Sequence, residues 1–187
     1  DYSEYPTKDG FPLMPYHRES RRLNGKITLT LNDIKSPYKQ KNSLYRTGIA
    51  VGDYPVDHHH GAYSNYSNLP KLDFYPVPSY SVPLGVLIPE NIDNFIVIEK
   101  SISVSNLVNG TSRLQPVVMQ IGQASGVLAS LAIIKKKNID QIKIREVQLE
   151  ILKNNGYILP YVDVDTEDLN FSLSLIHISE PTRPSTI

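Results

Sequence analysis

Asp57, His58, His59 and His60 set one carboxylate and three imidazoles side by side. Both residue types move protons near neutral pH, so the stretch is a candidate acid/base site. They also ligate zinc or iron, but no second ligand cluster with suitable spacing accompanies them, and no metal ligand is assigned. In a strand, neighbouring side chains point to opposite faces, so at most two of the three histidines would share a site; a loop relaxes this. A polar surface loop with one structural histidine is the other reading.

A second candidate is "HRESRR", residues 17–22. Arg18 and Arg21 could act as bidentate donors to a carboxylate or a sugar. Glu19 could equally hold its neighbours in an ion-pair cluster with no further role. The third is "NGTSRLQPVVMQIGQASG", residues 109–126. Gly110 permits close backbone approach. Arg113 brings positive charge, and Pro116 suits the first turn of a helix, where its missing N–H costs nothing. A helix starting there offers free N–H groups and a partial positive charge. Gly122, Ala124, Gly126 and Ala129 would let that helix lie close to a sheet or another helix. A tightly packed core helix, with Arg113 exposed or salt-bridged, accounts for the same residues.

The elements that must carry these groups follow from periodicity. "GKITLTL" (25–31) alternates Ile27, Leu29 and Leu31 with polar residues and predicts a half-buried strand. A short strand is expected around Ile49–Val51, stopped by Gly52 and Pro55. Residues 58–79 read as loop, and 80–90 as a strand broken by Pro83 and Pro89. Phe95, Ile96, Val97 and Ile98 form an apolar run that predicts a buried parallel strand within 93–103. A loop through Asn109 and Gly110 leads to a helix from about Pro116 to Lys136, with Lys135–Lys137 at its negative pole. A second helix is expected over 144–154, with Val147, Ile151 and Leu152 on one side and Gly156 ending it in the left-handed conformation.

The chain has 187 residues, 19 basic and 19 acidic, and no cysteine. Disulfides, thiolate metal sites and cysteine nucleophiles are excluded, and both reducing and oxidising compartments fit. Balanced charge, with no basic run beyond Lys135–Lys137, gives no nucleic-acid footprint. Gln120, Gln123, Ser125 and Ser130 interrupt the longest apolar run, which therefore reads as a buried helix rather than a membrane span. The expected partner is a small-molecule substrate, with no nucleic acid, no membrane and no oligomeric state assigned. The twelve tyrosines read mainly as core and core-covering residues.

Three blocks in order, "PYHRESRRLNG" (15–25), "IAVGDYPVDHHH" (49–60) and "SVSNLVNGTSRLQPVVMQIGQASGVLASLA" (103–132), resemble the FAD-dependent oxidoreductase family often called FAD_oxidored. Some of its members carry the description xanthan-lyase-associated. The resemblance covers roughly residues 10–165 and implies the C-terminal part of an α/β flavoprotein, α+β as the fragment stands. Residues 1–92 would be the end of a β-rich substrate or cap region. Residues 93–137 would supply the last strand and long helix of a Rossmann-like FAD-binding domain whose N-terminal βαβ unit lies upstream. Residues 138–172 would hold a C-terminal helix and the start of a truncated extension.

The resemblance also implies hydride transfer between FAD and a small-molecule substrate, carbohydrate-related compounds among the options. Cofactor contact falls to Ser101, Ser103, Gly110, Thr111, Ser112, Arg113 and Pro116. Catalytic contact falls to Asp57, His58, His59, His60, Arg18 and Arg21. The fragment alone is expected to be inactive, with the half that binds ADP missing. The family's usual Gly-Arg at the end of the returning strand is replaced here by Glu99-Lys100. A metal-dependent carbohydrate hydrolase and a non-catalytic glycan-binding module are the alternatives. The tail "LSLIHISEPTR" (173–183) resembles translated sequencing adapter, and residues 173–187 are set apart as non-native.

Overall fold

The computed structural model describes residues 7–13, 21–57 and 74–160. Arg18, His58, His59, His60 and the tail 173–187 lie outside the described residues. The architecture is α+β: a two-stranded antiparallel sheet with helices packed around it.

The stretch predicted as a strand over 25–31 runs extended. Lys26 N donates to Ile88 O at 2.9 Å, Leu29 N to Ser103 O at 3.0 Å, and Ser105 N to Leu29 O at 2.9 Å. Leu29 is buried and Ile27 half-buried, as period two requires. The extended run is shorter than expected, because Leu31 already opens a one-turn helix, α1 (Leu31–Ile34). Thr30 and Asp33 set that start: Thr30 N donates to Asp33 Oδ2 at 2.8 Å, closing the turn from outside.

Strand β1 (Gly48–Gly52) pairs antiparallel with β2 (Tyr80–Pro83). Every residue of β2 is buried, and the chain leaves it through a 3₁₀ turn at Leu84–Leu87. Proline at the strand's last position withholds a donor where pairing stops anyway. Gly52 permits this pairing at one crowded point. A Cβ there would lie 2.3 Å from Tyr80 Cζ.

Helix α2 (Asn106–Ser112) occupies the stretch read as a loop. Ser105 Oγ accepts from Val108 N at 3.3 Å and starts it, and Val108 to Ser112 are all buried. Burial of that whole turn outweighs the loop preference of Asn109 and Gly110. Arg113 then ends α2, and α3 (Gln115–Lys135) begins with Pro116 in its first turn. At its far end Lys136 turns left-handed, φ 52°. Helix α4 (Ile144–Lys153) buries Val147 and Ile151, i and i+4 on one face, and packs against α3. The residue that leaves α4 left-handed is Asn155, φ 58°, not Gly156. Gly156 serves close approach instead, since a Cβ there would meet Ile151 Cγ2 at 2.5 Å.

One core joins these parts. Leu29, Ile49, Val82 and Val86 meet Ile102, Val108, Ile121, Leu128, Val147 and Ile151. Residues on both sides of position 92 therefore share it.

The predicted buried strand at 93–103 is not formed. Phe95 and Ile98 are about half exposed, at 52% and 49%, and Val97 N donating to Leu87 O at 2.9 Å ties the run to its neighbour. Two left-handed residues bracket it, Asn94 at φ 51° and Glu99 at φ 67°. They turn the chain at each end, and a 3₁₀ turn follows at Glu99–Ser101. Glu99 thus stands where the resemblance expects glycine, in a backbone conformation that favours glycine. Its carboxylate folds back onto the next residue: Lys100 N donates to Oε2 at 3.1 Å, and Lys100 Nζ lies 3.2 Å from Oε1. Glu99→Gly and Glu99→Ala both remove the carboxylate, but only alanine keeps a Cβ at positive φ. The glycine variant is expected to be the more stable of the two by about 1 kcal/mol. Equal urea midpoints would show that φ 67° at this position carries no strain.

The small residues of α3 divide between its faces. Ala124 is buried with Val117, Ile121 and Leu128. Gly122 and Gly126 face open space: apart from their own helix, no atom of the described residues lies within 4 Å of an added Cβ, so the close packing expected of them is not made among those residues. Met119, Ile133 and Ile134 are exposed with them. By length and composition α3 is long and apolar enough to cross a membrane. Most of its interrupting polar residues find partners in the protein: Gln123 Nε2 donates to Asn154 O at 3.3 Å and Ser125 Oγ to Ile121 O at 2.8 Å.

Candidate functional site

A cavity of about 300 Å³ opens at the N-terminal end of α3. Leu114, Pro116 and Val117 form the helix side, and Val51, Asp53 and Ser79 the sheet side. Tyr157, Leu159 and Pro160 close it from the end of the described chain. Leu114 is the residue before α3, and among the described residues no side chain caps that helix. A 21-residue helix therefore presents uncapped first-turn N–H groups beside the cavity.

Gln120 fixes the helix to the sheet. Its Oε1 accepts from Val51 N at 2.9 Å, and its Nε2 donates to Val51 O at 3.4 Å and Pro116 O at 3.1 Å. One amide thus ties β1 to the first turn of α3, and it also lines the cavity.

Two predicted residues meet at the position just before the cavity-lining Leu114. Arg113 Nη2 donates to Asp57 O at 2.8 Å and to Asp57 Oδ2 at 3.1 Å. Arg113 is 5% exposed and Asp57 22%. The Nε of Arg113 is buried and has no hydrogen-bond partner among the described residues. An unpaired donor on a buried cation marks a place where an acceptor would be stabilised.

The remaining predicted contacts separate. Thr111 Oγ1 donates to Tyr54 O and takes the Tyr80 hydroxyl at 3.1 Å. Ser103 Oγ accepts from Gly25 N at 3.1 Å and bonds Thr28 Oγ1 at 2.9 Å, and Ser103 does not line the cavity. The carbonyl of Ser101 accepts from Leu23 N at 2.8 Å. Gly110 and Ser112 are buried inside α2. Arg21 is exposed. Of the seven predicted cofactor contacts, Pro116 lines the cavity. Among the described residues no group of three or more metal-ligating side chains occurs.

Sequence reasoning missed three lining groups, Asp53, Gln120 and Ser79. Gln120 carried a signal, an amide within an apolar helix. Asp53 and Ser79 carried none beyond residue type.

Tyr80 is fully buried at the start of β2. Burial pushes its phenol well above the ordinary value, and the hydrogen bond with Thr111 pulls weakly the other way. The folded chain keeps Tyr80 protonated at a pH where the unfolded chain ionises, near 10. The unfolded state then binds fewer protons, so this contribution is complete below about pH 10 and is lost above it. Urea midpoints should fall from about pH 9 to about pH 11, and Tyr80→Phe should make that fall shallower. A parallel fall in both proteins would locate the titration elsewhere, in the first instance at Tyr38, whose pKa burial also raises.

An α+β domain with a mainly apolar cleft at an uncapped helix N-terminus, beside a buried arginine, is suited to an electron-rich ring system. Residues 2–151 match the family model described as FAD dependent oxidoreductase, and the chain belongs to that family. No curated protein and no solved structure matches the chain. The family's cofactor is FAD, and its members are flavin-dependent oxidoreductases. The residues present fit one end of that cofactor: a flat apolar wall at Leu114, Pro116 and Val117, helix-end N–H groups, and the orphaned Arg113 Nε close in sequence. The cavity, at about 300 Å³, sits at the lower edge of the usual range for small-molecule sites. That is room for part of a dinucleotide and not for the whole.

Proposed function

We propose that this chain forms the part of an FAD-dependent oxidoreductase that faces the flavin ring and the substrate. The uncapped N-terminus of α3 above the cavity is the observation that carries this reading. The family match supports the cofactor. Bound FAD would supply hydride-transfer chemistry, exchanging hydride with the substrate.

The chain's own residues do the rest. Gln115 and Val117 would offer backbone N–H groups to the polar edge of the ring, and Pro116 would set the helix start. Gln120 would hold that turn against β1, so the donors are fixed before the ligand arrives. Arg113 would add positive charge at the same end, with Asp57 holding its guanidinium in place. In this reading Asp57 acts first as a partner of Arg113, and proton transfer falls to the groups at 58–60. Ser101, Ser103 and Gly110 to Ser112 would position these elements from behind. Arg18 and Arg21 would meet the substrate from the segment before α1.

The domain division at 92/93 is a functional one in this reading, a substrate side and a cofactor side built on a shared core. The cofactor side would be the end of a Rossmann-like domain, with its ADP-binding part supplied by chain upstream. The substrate class, carbohydrate-related among the options, belongs to the same proposal.

The test is the product of the whole gene, purified and scanned for flavin absorbance. One equivalent of FAD is expected. Substituting Gln120 by Leu should weaken FAD retention about tenfold, as a hydrogen-bonded support is lost. A whole-gene product that takes up no FAD would overturn the proposal.

A further inference from the structure

The cavity has two chemically distinct rims. The helix rim is donor-rich and backbone-built, as described above. The opposite rim carries an acceptor. Asp53 Oδ1 takes a hydrogen bond from Ser79 Oγ at 2.8 Å, which holds the carboxylate at the end of the sheet. Asp53 Oδ2 has no hydrogen-bond partner among the described residues, and the carboxylate is exposed at the cavity. Tyr157, Leu159 and Pro160 stand around the same opening.

We propose that this rim is the substrate-binding side, and that Asp53 is its specificity-determining residue. It takes a neutral, hydroxyl-bearing ring compound of the sugar type. The chemistry follows from the three kinds of group present. A carboxylate with a free oxygen accepts hydrogen bonds from hydroxyls, and the bond to a charged acceptor is stronger than a neutral one. An aromatic ring and a proline provide flat surface for the C–H face of a saturated ring. Among the described cavity-lining residues Asp53 carries the one charge, so an anionic ligand would meet repulsion on this side, while the positive end of α3 across the cavity disfavours a cation. The proposal rests on the flavin reading only for what lies across the cavity. Asp53 lies within the block 49–60, but it was not among the candidate site residues read from the sequence.

The test uses the whole-gene product with its FAD load measured by absorbance. Saturation-transfer NMR titrations would compare methyl glucoside, glucuronate and glucosamine as matched neutral, anionic and cationic probes. Wild type is expected to bind methyl glucoside better than glucuronate. Asp53→Ala should weaken methyl glucoside about tenfold, with Asp53→Asn between the two. FAD load should stay unchanged in both variants, which separates this outcome from a failure to fold. Unchanged affinity in Asp53→Ala would overturn the assignment, as would glucuronate or glucosamine binding more tightly than methyl glucoside, or no saturable binding by any probe. Asp53-dependent sugar binding in a protein without FAD would uphold this rim and sink the cofactor reading alone.

Discussion

Arg113→Ala is expected to destabilise the protein by about 3 kcal/mol, because it removes one member of a buried ion pair and the hydrogen bonds that member makes. The guanidinium is 5% exposed and the Asp57 side chain 22%, so little water reaches the carboxylate left behind. Arg113 also donates to the Asp57 carbonyl at 2.8 Å, and that hydrogen bond is lost with the same substitution. Set against an ordinary stability of about 5–15 kcal/mol, this is a large fraction. Urea unfolding of the single variants and of Arg113→Ala with Asp57→Ala closes a cycle, with a coupling of at least 1 kcal/mol expected. Additive losses would show that the pair does not act as a pair. A flavin role separates from a structural one by spectrum: Arg113→Lys keeps a charge but not the fork, and should shift the absorbance of bound FAD even where it folds.

The second large effect is expected at Gly52. A methyl group there would sit 2.3 Å from Tyr80 Cζ and 2.5 Å from its hydroxyl oxygen. Tyr80 has no room to yield, being fully buried with its hydroxyl on Thr111. Gly52→Ala should cost about 3 kcal/mol, the upper part of the usual overpacking range. The cause is checked by relief. With Tyr80→Leu in the background, Gly52→Ala should cost at least 1 kcal/mol less than it does alone. An equal cost in both backgrounds would place the problem in the strand backbone rather than in the ring.

Local chemistry made the long elements legible. Pro116 and the lysines at 135–137 bracket α3 within a residue or two of where it lies, and Val147 and Ile151 mark the buried face of α4. Gly48–Gly52 was legible from its apolar centre and its stops. The run Phe95–Ile98 shows the limit of such reading. An apolar run states what would gain from burial, not what stands next to it. Here the turns at Asn94 and Glu99 decide the path, and left-handed glutamate is not something composition announces. Helix α2 was hidden for the opposite reason: Asn109 and Gly110 look like punctuation, yet both are buried.

The candidate site was legible in pieces. Asp57 and Arg113 each stood out, in stretches 56 residues apart, and the fold brings them to 3.1 Å. Pairing at that separation depends on the path of β1, β2 and α2 together, which no local pattern carries. Asp53 sat inside the block 49–60, four residues from a conspicuous cluster, and was not singled out as a site residue, because its importance comes from the cavity it borders.

Two glutamines have a bearing on how this chain behaves in company. Val51 would otherwise show both its N–H and its carbonyl along the outer margin of β1, but the Gln120 amide engages both. The carbonyl of Gly48, nearby on the same strand, is taken by Gln148 Nε2 at 2.9 Å. A bare margin of this kind is a template for a neighbouring molecule's strand, the first step of ordered aggregation. Side-chain amides copy the donor and acceptor of a peptide bond, so α3 and α4 fill the places another chain would take. Loss of either amide should therefore show itself as turbidity on storage at high concentration before it shows as unfolding.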